Sequence, residues 1–186
     1  DISGDENKRA ADYLNKASRY FPLIGWIVGS VAFGVYCVFN YLVAPEIAVI
    51  FSMIASVLVT GAFHEDGFAD VCDGFGGGWT KEKILMIMKD SAIGAYGAIG
   101  LVLLLVLKFQ GLTQLIDVSD NPKFIIYHSQ FIILLLFVSA HSISRLAAIS
   151  IVFTHQYSRE DASSKSKPIA QSYSWREVTG AFFFGL

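Results

Sequence analysis

Long runs without a charged residue are the feature that most limits what this chain of 186 residues can fold into. Asp, Glu, Lys and Arg are absent from residues 20–45, 47–64, 91–107 and 124–144. A helix needs about 17–25 apolar residues to cross the hydrocarbon core of a bilayer. A soluble core could bury one such run but not four, and only 16% of the residues are charged, against about 25% in soluble domains. The chain is therefore predicted to be an integral membrane protein.

The same runs predict the fold class and the spans. We expect an all-α fold, a polytopic transmembrane helical bundle forming a single integral membrane domain over residues 1–186. A fifth apolar run stops at the last residue and the first residue is not Met, so we expect at least five spans, the last truncated, in part of a longer polypeptide. The predicted spans are residues 20–43, 47–63, 91–108, 124–153 and 177–186, with a cytoplasmic acidic active-site loop at 64–90.

Lys and Arg placement predicts the orientation, because the side of a membrane protein richer in basic residues is cytoplasmic. Alternate connections collect eleven basic residues on one side and two on the other, so residues 64–90 are predicted to face the cytoplasm. The eleven are Lys8, Arg9, Lys16, Arg19, Lys81, Lys83, Lys89, Arg159, Lys165, Lys167 and Arg176, and the two are Lys108 and Lys123. The chain has 14 basic and 16 acidic residues in total, so it has no excess of positive charge with which to bind a nucleic acid.

The residues that carry chemistry concentrate in the sequence HEDGFADVCDG, residues 64–74. Asp66, Asp70 and Asp73 are spaced i, i+4, i+7, which places three carboxylates within about 60° of one helical face. Like charges at this spacing destabilise a helix, and a bound divalent cation would reverse that effect. Carboxylate oxygens suit Mg²⁺, Mn²⁺ or Ca²⁺. The alternative is a solvated acidic helix end.

Four neighbours of this stripe are further candidates. Gly67 and Gly74 each follow an aspartate and would let a phosphate approach the backbone. His64 is either a base, a ligand or merely a hydrogen-bonded residue. Glu65 is either a second metal ligand or a solvated side chain.

Arg145 stands alone among apolar residues in the fourth predicted span. A charged residue inside a span is a functional candidate and usually faces the interior of the bundle. His141 and Ser142 lie one turn before it on the same face. Arg145 would either clamp a phosphate or form a structural ion pair with Asp90 or Asp73.

Two further patterns concern packing. Gly25 and Gly29 form a GxxxG motif in the first predicted span, which allows two helices to approach closely. Residues 81–88 read as a short amphipathic helix whose apolar side faces either the membrane or the bundle.

The motif and its surroundings resemble one known family. TGAFHEDGFADVCDGFGGG at residues 60–78, followed by IMKDSAIGAYG at 87–97, is similar to the cobalamin synthase family, the adenosylcobinamide-GDP ribazoletransferases. RYFPLIG at residues 19–25 resembles the first membrane segment of that family. The likeness runs from about Arg19 to beyond Arg145, although members often have Arg where this chain has Ala92.

The resemblance implies a multi-pass enzyme of the bacterial inner membrane that depends on Mg²⁺, for which Mn²⁺ can substitute. Its substrates would be adenosylcobinamide-GDP and α-ribazole or α-ribazole 5′-phosphate, and it would release GMP. Combined with the candidates above, it predicts catalytic residues His64, Asp66, Asp90 and Arg145, substrate-binding residues Gly67, Gly74, Lys89 and Ser91, and metal ligands Glu65, Asp66, Asp70 and Asp73.

Two alternatives remain open at this stage. A CDP-alcohol phosphotransferase also uses an Asp-rich motif at a membrane surface, but its D-G-x-x-A-R pattern is not matched, because Asp70 follows Ala69 here. A cation channel or carrier would prefer carboxylates within several spans, and residues 47–63 and 91–107 contain none. The expected partners are the two substrates and the lipid bilayer, and the sequence leaves a homo-oligomer open.

Overall fold

The computed structural model describes residues 13, 16–119, 129–155 and 175–185, and within these ranges the regular structure is entirely helical. The all-α class predicted from the charge-free runs is confirmed. A 3₁₀ turn over Ser18–Tyr20 leads into α1 (Phe21–Asn40), followed by α2 (Pro45–Thr60), α3 (Phe63–Gly77), α4 (Lys81–Ile87), α5 (Ala95–Ser119), α6 (Ser129–Thr154) and α7 (Trp175–Gly185). Part of the predicted orientation depends on residues outside the described ranges, namely Lys8, Arg9, Lys123, Arg159, Lys165 and Lys167.

Three stretches of the described chain are long and apolar enough to cross a membrane: Ser18–Asn40, Ala95–Asp117 and Gln130–Thr154. Helices α2 and α3 pass the same test only as a pair, and they are bent by 87° relative to each other. Such a pair is a broken span or a re-entrant loop. By length and composition, the described residues therefore supply three candidate spans, or four if the bent pair counts as one, in agreement with a polytopic helical protein.

The bend between α2 and α3 lies at two consecutive residues in the left-handed backbone region. Gly61 ends α2 with φ 63° and ψ 32°, and Ala62 follows with φ 57° and ψ 15°. This region costs an L-residue with a side chain about 1–2 kcal/mol, so Ala62 is a strained residue beside the acidic motif. A new helix then begins at Phe63 with Glu65 and Asp66 in its first turn, where negative charge is favourable. Helices α3 and α4 make up most of the connecting segment 64–90, in agreement with the helical spacing of its aspartates and with the short amphipathic helix predicted at 81–88.

The described residues within 1–30 and 134–186 form one compact unit, which we call the terminal unit. In it, the GxxxG glycines of α1 lie directly against the backbone of α6. A Cβ atom on Gly25 would stand 2.6 Å from the Ser142 Cα, and one on Gly29 would stand 2.7 Å from the Val138 Cα. The close approach predicted from this motif is therefore observed.

The described residues within 31–133 form the second compact unit, the central unit, which contains the acidic motif. Its described buried hydrophobic side chains come from helices α1, α2, α3 and α5 and from the start of α6; they are Ala32, Tyr36, Ala48, Val49, Met53, Ala69, Ile116 and Ile133. Phe39 and Phe51 stack with ring centroids 3.9 Å apart. Lys108, the basic residue within α5, donates to the Ser56 hydroxyl at 3.4 Å. These contacts join α1 and α5 to α2 within the central unit.

Candidate active site

The three aspartates of the motif lie in one continuous helix, α3, so their spacing places them on one face as expected. The side chain of Asp66 is exposed, while those of Asp70 and Asp73 are half-buried. The first two residues of the stripe therefore present carboxylates near the surface of the central unit. Asp73 has a different environment.

The Asp73 carboxylate accepts two backbone hydrogen bonds from the start of α5. Its Oδ2 accepts from the Gly94 N–H at 2.7 Å, and its Oδ1 accepts from the Gly97 N–H at 2.8 Å. Gly94 immediately precedes the first residue of α5, so the carboxylate binds N–H groups that have no partner within the helix. Negative charge at this position also interacts favourably with the helix dipole.

This contact depends on glycines in α5 that the sequence analysis did not assign. A Cβ atom on Gly94 or Gly97 would collide with the Asp73 carboxylate. One turn further, a Cβ atom on Gly100 would stand 2.7 Å from the Cys72 Sγ. The repeat of glycine at 94, 97 and 100 is the signal in the sequence that could have indicated a helix face in close contact.

Helix α4 packs against the C-terminal part of α3 rather than toward the membrane. A Cβ atom on Gly74 would stand 2.7 Å from the Met88 Cγ, and one on Gly78 would stand 2.7 Å from the Ile84 Cγ1. Of the two orientations open for the short amphipathic helix, the structure therefore supports the protein-facing one. Gly74, predicted to bind substrate, is buried under α4, whereas Gly67 has open space around its Cα.

The predicted substrate-binding residues Lys89 and Ser91 and the predicted catalytic residue Asp90 lie in the turn between α4 and α5. Lys89, Asp90 and Ser91 are all exposed. The Asp90 Oδ1 accepts the Ala92 N–H at 3.1 Å, which closes a local turn of the kind that Asp side chains commonly form. The turn thus presents a cation, a carboxylate and a hydroxyl to solvent.

Comparison with known proteins identifies the family at this point. The family model described as cobalamin-5-phosphate synthase matches residues 5–186. The chain belongs to the cobalamin-5-phosphate synthase family. The resemblance drawn from residues 60–78 and 87–97 is confirmed, and both segments lie in the part of the central unit described above.

Curated relatives in this family carry one name. The adenosylcobinamide-GDP ribazoletransferase of Shewanella piezotolerans is 49% identical over 169 residues, which is 91% of this chain and 61% of the relative. That of Ralstonia pickettii is 48% identical over 174 residues, or 93% of this chain and 63% of the relative. The chain therefore spans about three fifths of the length of these cobalamin synthase relatives. No solved structure matches it.

The predicted metal ligands of this family member differ in their surroundings. Within the described residues, no three His, Cys, Asp or Glu side chains form a group that could hold a metal ion. Asp66 and Asp70 lie one turn apart with oxygens that suit Mg²⁺, so their donor chemistry fits. Glu65 Oε2 is buried without a hydrogen-bond partner in the described part of the chain, a state that a cation or proton donor would relieve. The Asp73 oxygens do not fit as well, because both accept backbone N–H groups.

The other two predicted catalytic residues are His64 and Arg145. His64 is exposed in the first turn of α3, with its ring edge-on to that of Phe63 at 5.6 Å. Arg145 belongs to the terminal unit, is 3% exposed, and donates through Nη1 to the His141 carbonyl at 2.9 Å. The structure brings the motif and the 89–91 turn together in the central unit and places Arg145 in the other unit.

Proposed function

We propose that this chain carries the catalytic centre of a transferase that joins adenosylcobinamide-GDP to α-ribazole or α-ribazole 5′-phosphate and releases GMP. Family membership and the shared name of the relatives support this proposal. The observation that carries it furthest is local. The acidic face of α3 lies in the same unit as the turn holding residues 89–91, and Asp73 of that face binds the N–H groups of Gly94 and Gly97, which follow the turn.

The reaction is a phosphoryl transfer in which a ribose hydroxyl oxygen bonds to the phosphorus that is attached to cobinamide. The bond between that phosphorus and the oxygen bridging to GMP breaks, and GMP leaves with that oxygen. The hydroxyl proton goes to one of the carboxylates of the motif or to His64. Catalysis of this kind consists mostly of positioning and charge neutralisation.

Lys89 and Ser91 are suited to the phosphate part of this task. Lys89 supplies a positive charge on an exposed turn, and Ser91 supplies a hydroxyl two residues away. Gly67, with open space at its Cα, allows a phosphate to approach the backbone of α3. Together these groups would bind the pyrophosphate beside the acidic face.

Asp66 and Asp70 are the residues that would hold magnesium. When bound, the ion supplies neutralisation of the pyrophosphate charge and stabilises the leaving oxygen. The protein's own contribution is to keep two carboxylates one turn apart on a helix whose start is fixed by the bend at Gly61 and Ala62.

We infer a location in the bacterial inner membrane from the family resemblance, and the positive-inside distribution supports an orientation with residues 64–90 on the cytoplasmic side. Both substrates are large and polar, so an active site on this side would receive them without a crossing of the bilayer. Basic residues Lys81, Lys83 and Lys89 of this segment are exposed.

GMP release from adenosylcobinamide-GDP in the presence of α-ribazole tests the proposal directly. We expect release to require Mg²⁺ or Mn²⁺ and to stop on addition of EDTA. Asp66→Asn and Asp70→Asn should each abolish release and weaken Mn²⁺ binding measured by calorimetry, while the thermal melting temperature in detergent stays close to that of the unchanged protein.

Asp117→Asn is the matched control, because Asp117 is an exposed carboxylate about 30 Å along α5 from Gly97. Its release of GMP and its Mn²⁺ affinity should be unchanged. Unaltered Mn²⁺ affinity in both the Asp66 and Asp70 variants would contradict the metal assignment. Absence of GMP release from the unchanged protein with either ribazole substrate would contradict the proposed reaction.

A further inference from the structure

The segment between α4 and α5 is attached to α3 at both of its ends. At its start, the Met88 side chain lies over Gly74: a Cβ atom on that glycine would stand 2.7 Å from the Met88 Cγ. At its end, the Gly94 N–H donates to the Asp73 Oδ2. Residues 89–91 therefore extend from a short chain segment whose two ends are held by α3.

Of these two attachments to α3, the polar one is made by Asp73. Its two oxygens are directed to the N–H groups of Gly94 and Gly97 at 2.7 and 2.8 Å, and hydrogen bonds to a carboxylate are stronger than those between neutral groups. The glycines have no Cβ, so the carboxylate occupies the space that one would fill. Asp73 thus faces the start of α5, and both of its carboxylate oxygens accept backbone N–H groups there.

We propose that Asp73 is a positioning residue, and not a metal ligand: it holds residues 89–91 beside Asp66 and Asp70 by binding the start of α5. The proposal rests on the proposed function for its kinetic test only. Asp73→Asn keeps the size of the side chain but replaces one acceptor oxygen with an NH₂ group, so one of the two N–H groups loses its acceptor.

The experiment compares three properties of the purified protein: Mn²⁺ affinity, amide hydrogen exchange over residues 88–97, and kcat and KM for adenosylcobinamide-GDP. For Asp73→Asn we expect Mn²⁺ affinity within about 2-fold of the unchanged protein, exchange at least about 10-fold faster and kcat lower by about 10- to 100-fold, as for loss of a charge-assisted hydrogen bond. Asp66→Asn should do the reverse, with lost Mn²⁺ binding and unchanged exchange.

Gly94→Ala provides an independent arm because it displaces the Asp73 carboxylate without removing a charge. It should reproduce the faster exchange and the lower kcat with Mn²⁺ affinity retained, and it carries the test if Asp73→Asn does not accumulate as folded protein. Gly111→Ala is the matched control, since Gly111 lies in the same helix with nothing within 4 Å of its Cβ position. Exchange and kcat should not change in this variant.

Two results would overturn the proposal. The first is a loss of Mn²⁺ affinity in Asp73→Asn equal to that in Asp66→Asn with exchange unchanged, which would make Asp73 a ligand. The second is normal exchange and normal kcat in both Asp73→Asn and Gly94→Ala. If the unchanged protein neither binds Mn²⁺ nor releases GMP, the proposed function fails, and hydrogen exchange still decides whether Asp73 holds this segment.

Discussion

Gly25 of α1 lies so close to Ser142 of α6 that a Cβ atom on the glycine would stand 2.6 Å from both the Cα and the N of that serine. The single O–H of Ser142 in turn has two carbonyl acceptors within reach, that of Phe184 at 2.8 Å and that of Pro22 at 3.2 Å. Ser142 of α6 thus contacts both the start of α1 and the end of α7. Because glycine has no Cβ, position 25 permits this close approach of the two helices.

Gly25→Ala should therefore destabilise the terminal unit. The added methyl group meets backbone atoms, which cannot move aside as a flexible side chain can, and overpacking of this kind costs about 1–3 kcal/mol. The thermal melting temperature in detergent is the measurement. Gly34→Ala, in the same helix with nothing within 4 Å of its Cβ position, is the control and should leave the melting temperature unchanged or slightly higher. Equal behaviour of the two variants would contradict the close packing.

Position 62 should tolerate glycine better than valine. Ala62 has φ 57°, a conformation that is least favourable for β-branched residues. We expect Ala62→Val to lower the free energy of unfolding by about 1–2 kcal/mol or more, and Ala62→Gly to have a neutral or stabilising effect. Thermal melting measures both. Ala44→Val serves as the control because Ala44 has φ −59° and ψ 146°, which valine adopts readily. A destabilised Ala62→Gly would argue against strain at this residue.

The orientation of the central unit can be tested at two exposed aromatic residues. Trp79 is 96% exposed and lies in the acidic segment, residues 64–90. Tyr41 is 94% exposed and lies in the turn between α1 and α2, which carries no basic residue. With Cys37 and Cys72 replaced by Ala, a cysteine at position 41 should react with an impermeant maleimide on intact cells. A cysteine at position 79 should react only after permeabilisation. The opposite result would place the acidic segment outside the cytoplasm.

Arg145 should be required for both stability and catalysis. It and Glu177 are the charged side chains buried in the described part of the terminal unit, at 3% and 7% exposure. Arg145→Met leaves a buried carboxylate as the remaining charge there and should destabilise the protein by about 3–5 kcal/mol. Arg145→Lys keeps the charge but loses the planar guanidinium, and if Arg145 binds a phosphate its turnover should fall by about 10²–10³.

Thermal melting and GMP release, measured together on both variants, separate these effects. A Lys variant that melts normally but turns over slowly would support phosphate binding by Arg145. Normal turnover of the Lys variant, beside early melting of the Met variant, would leave Arg145 with a structural function only.

The positions of the helices follow from local properties of the sequence. Charge-free runs predict α1, α5 and α6 because a bilayer or a packed interior tolerates few charges in such segments. The GxxxG pattern predicts close contact at Gly25 and Gly29 because a helix face without side chains leaves room for a second backbone. The spacing of Asp66, Asp70 and Asp73 predicts one helical face from the geometry of the α-helix itself. Each of these inferences uses residues within a few turns of one another.

What surrounds Asp73 was decided only by the tertiary structure. Its partners lie 21 and 24 residues further along the chain, and nothing in the i, i+4, i+7 pattern distinguishes it from Asp66 or Asp70. The 87° bend at Gly61 and Ala62 is similar: a left-handed alanine has no signature in the sequence, because such a conformation persists only where the surrounding structure holds it. Local spacing determines which side chains share a face, whereas contacts between distant helices decide which of them is available for chemistry.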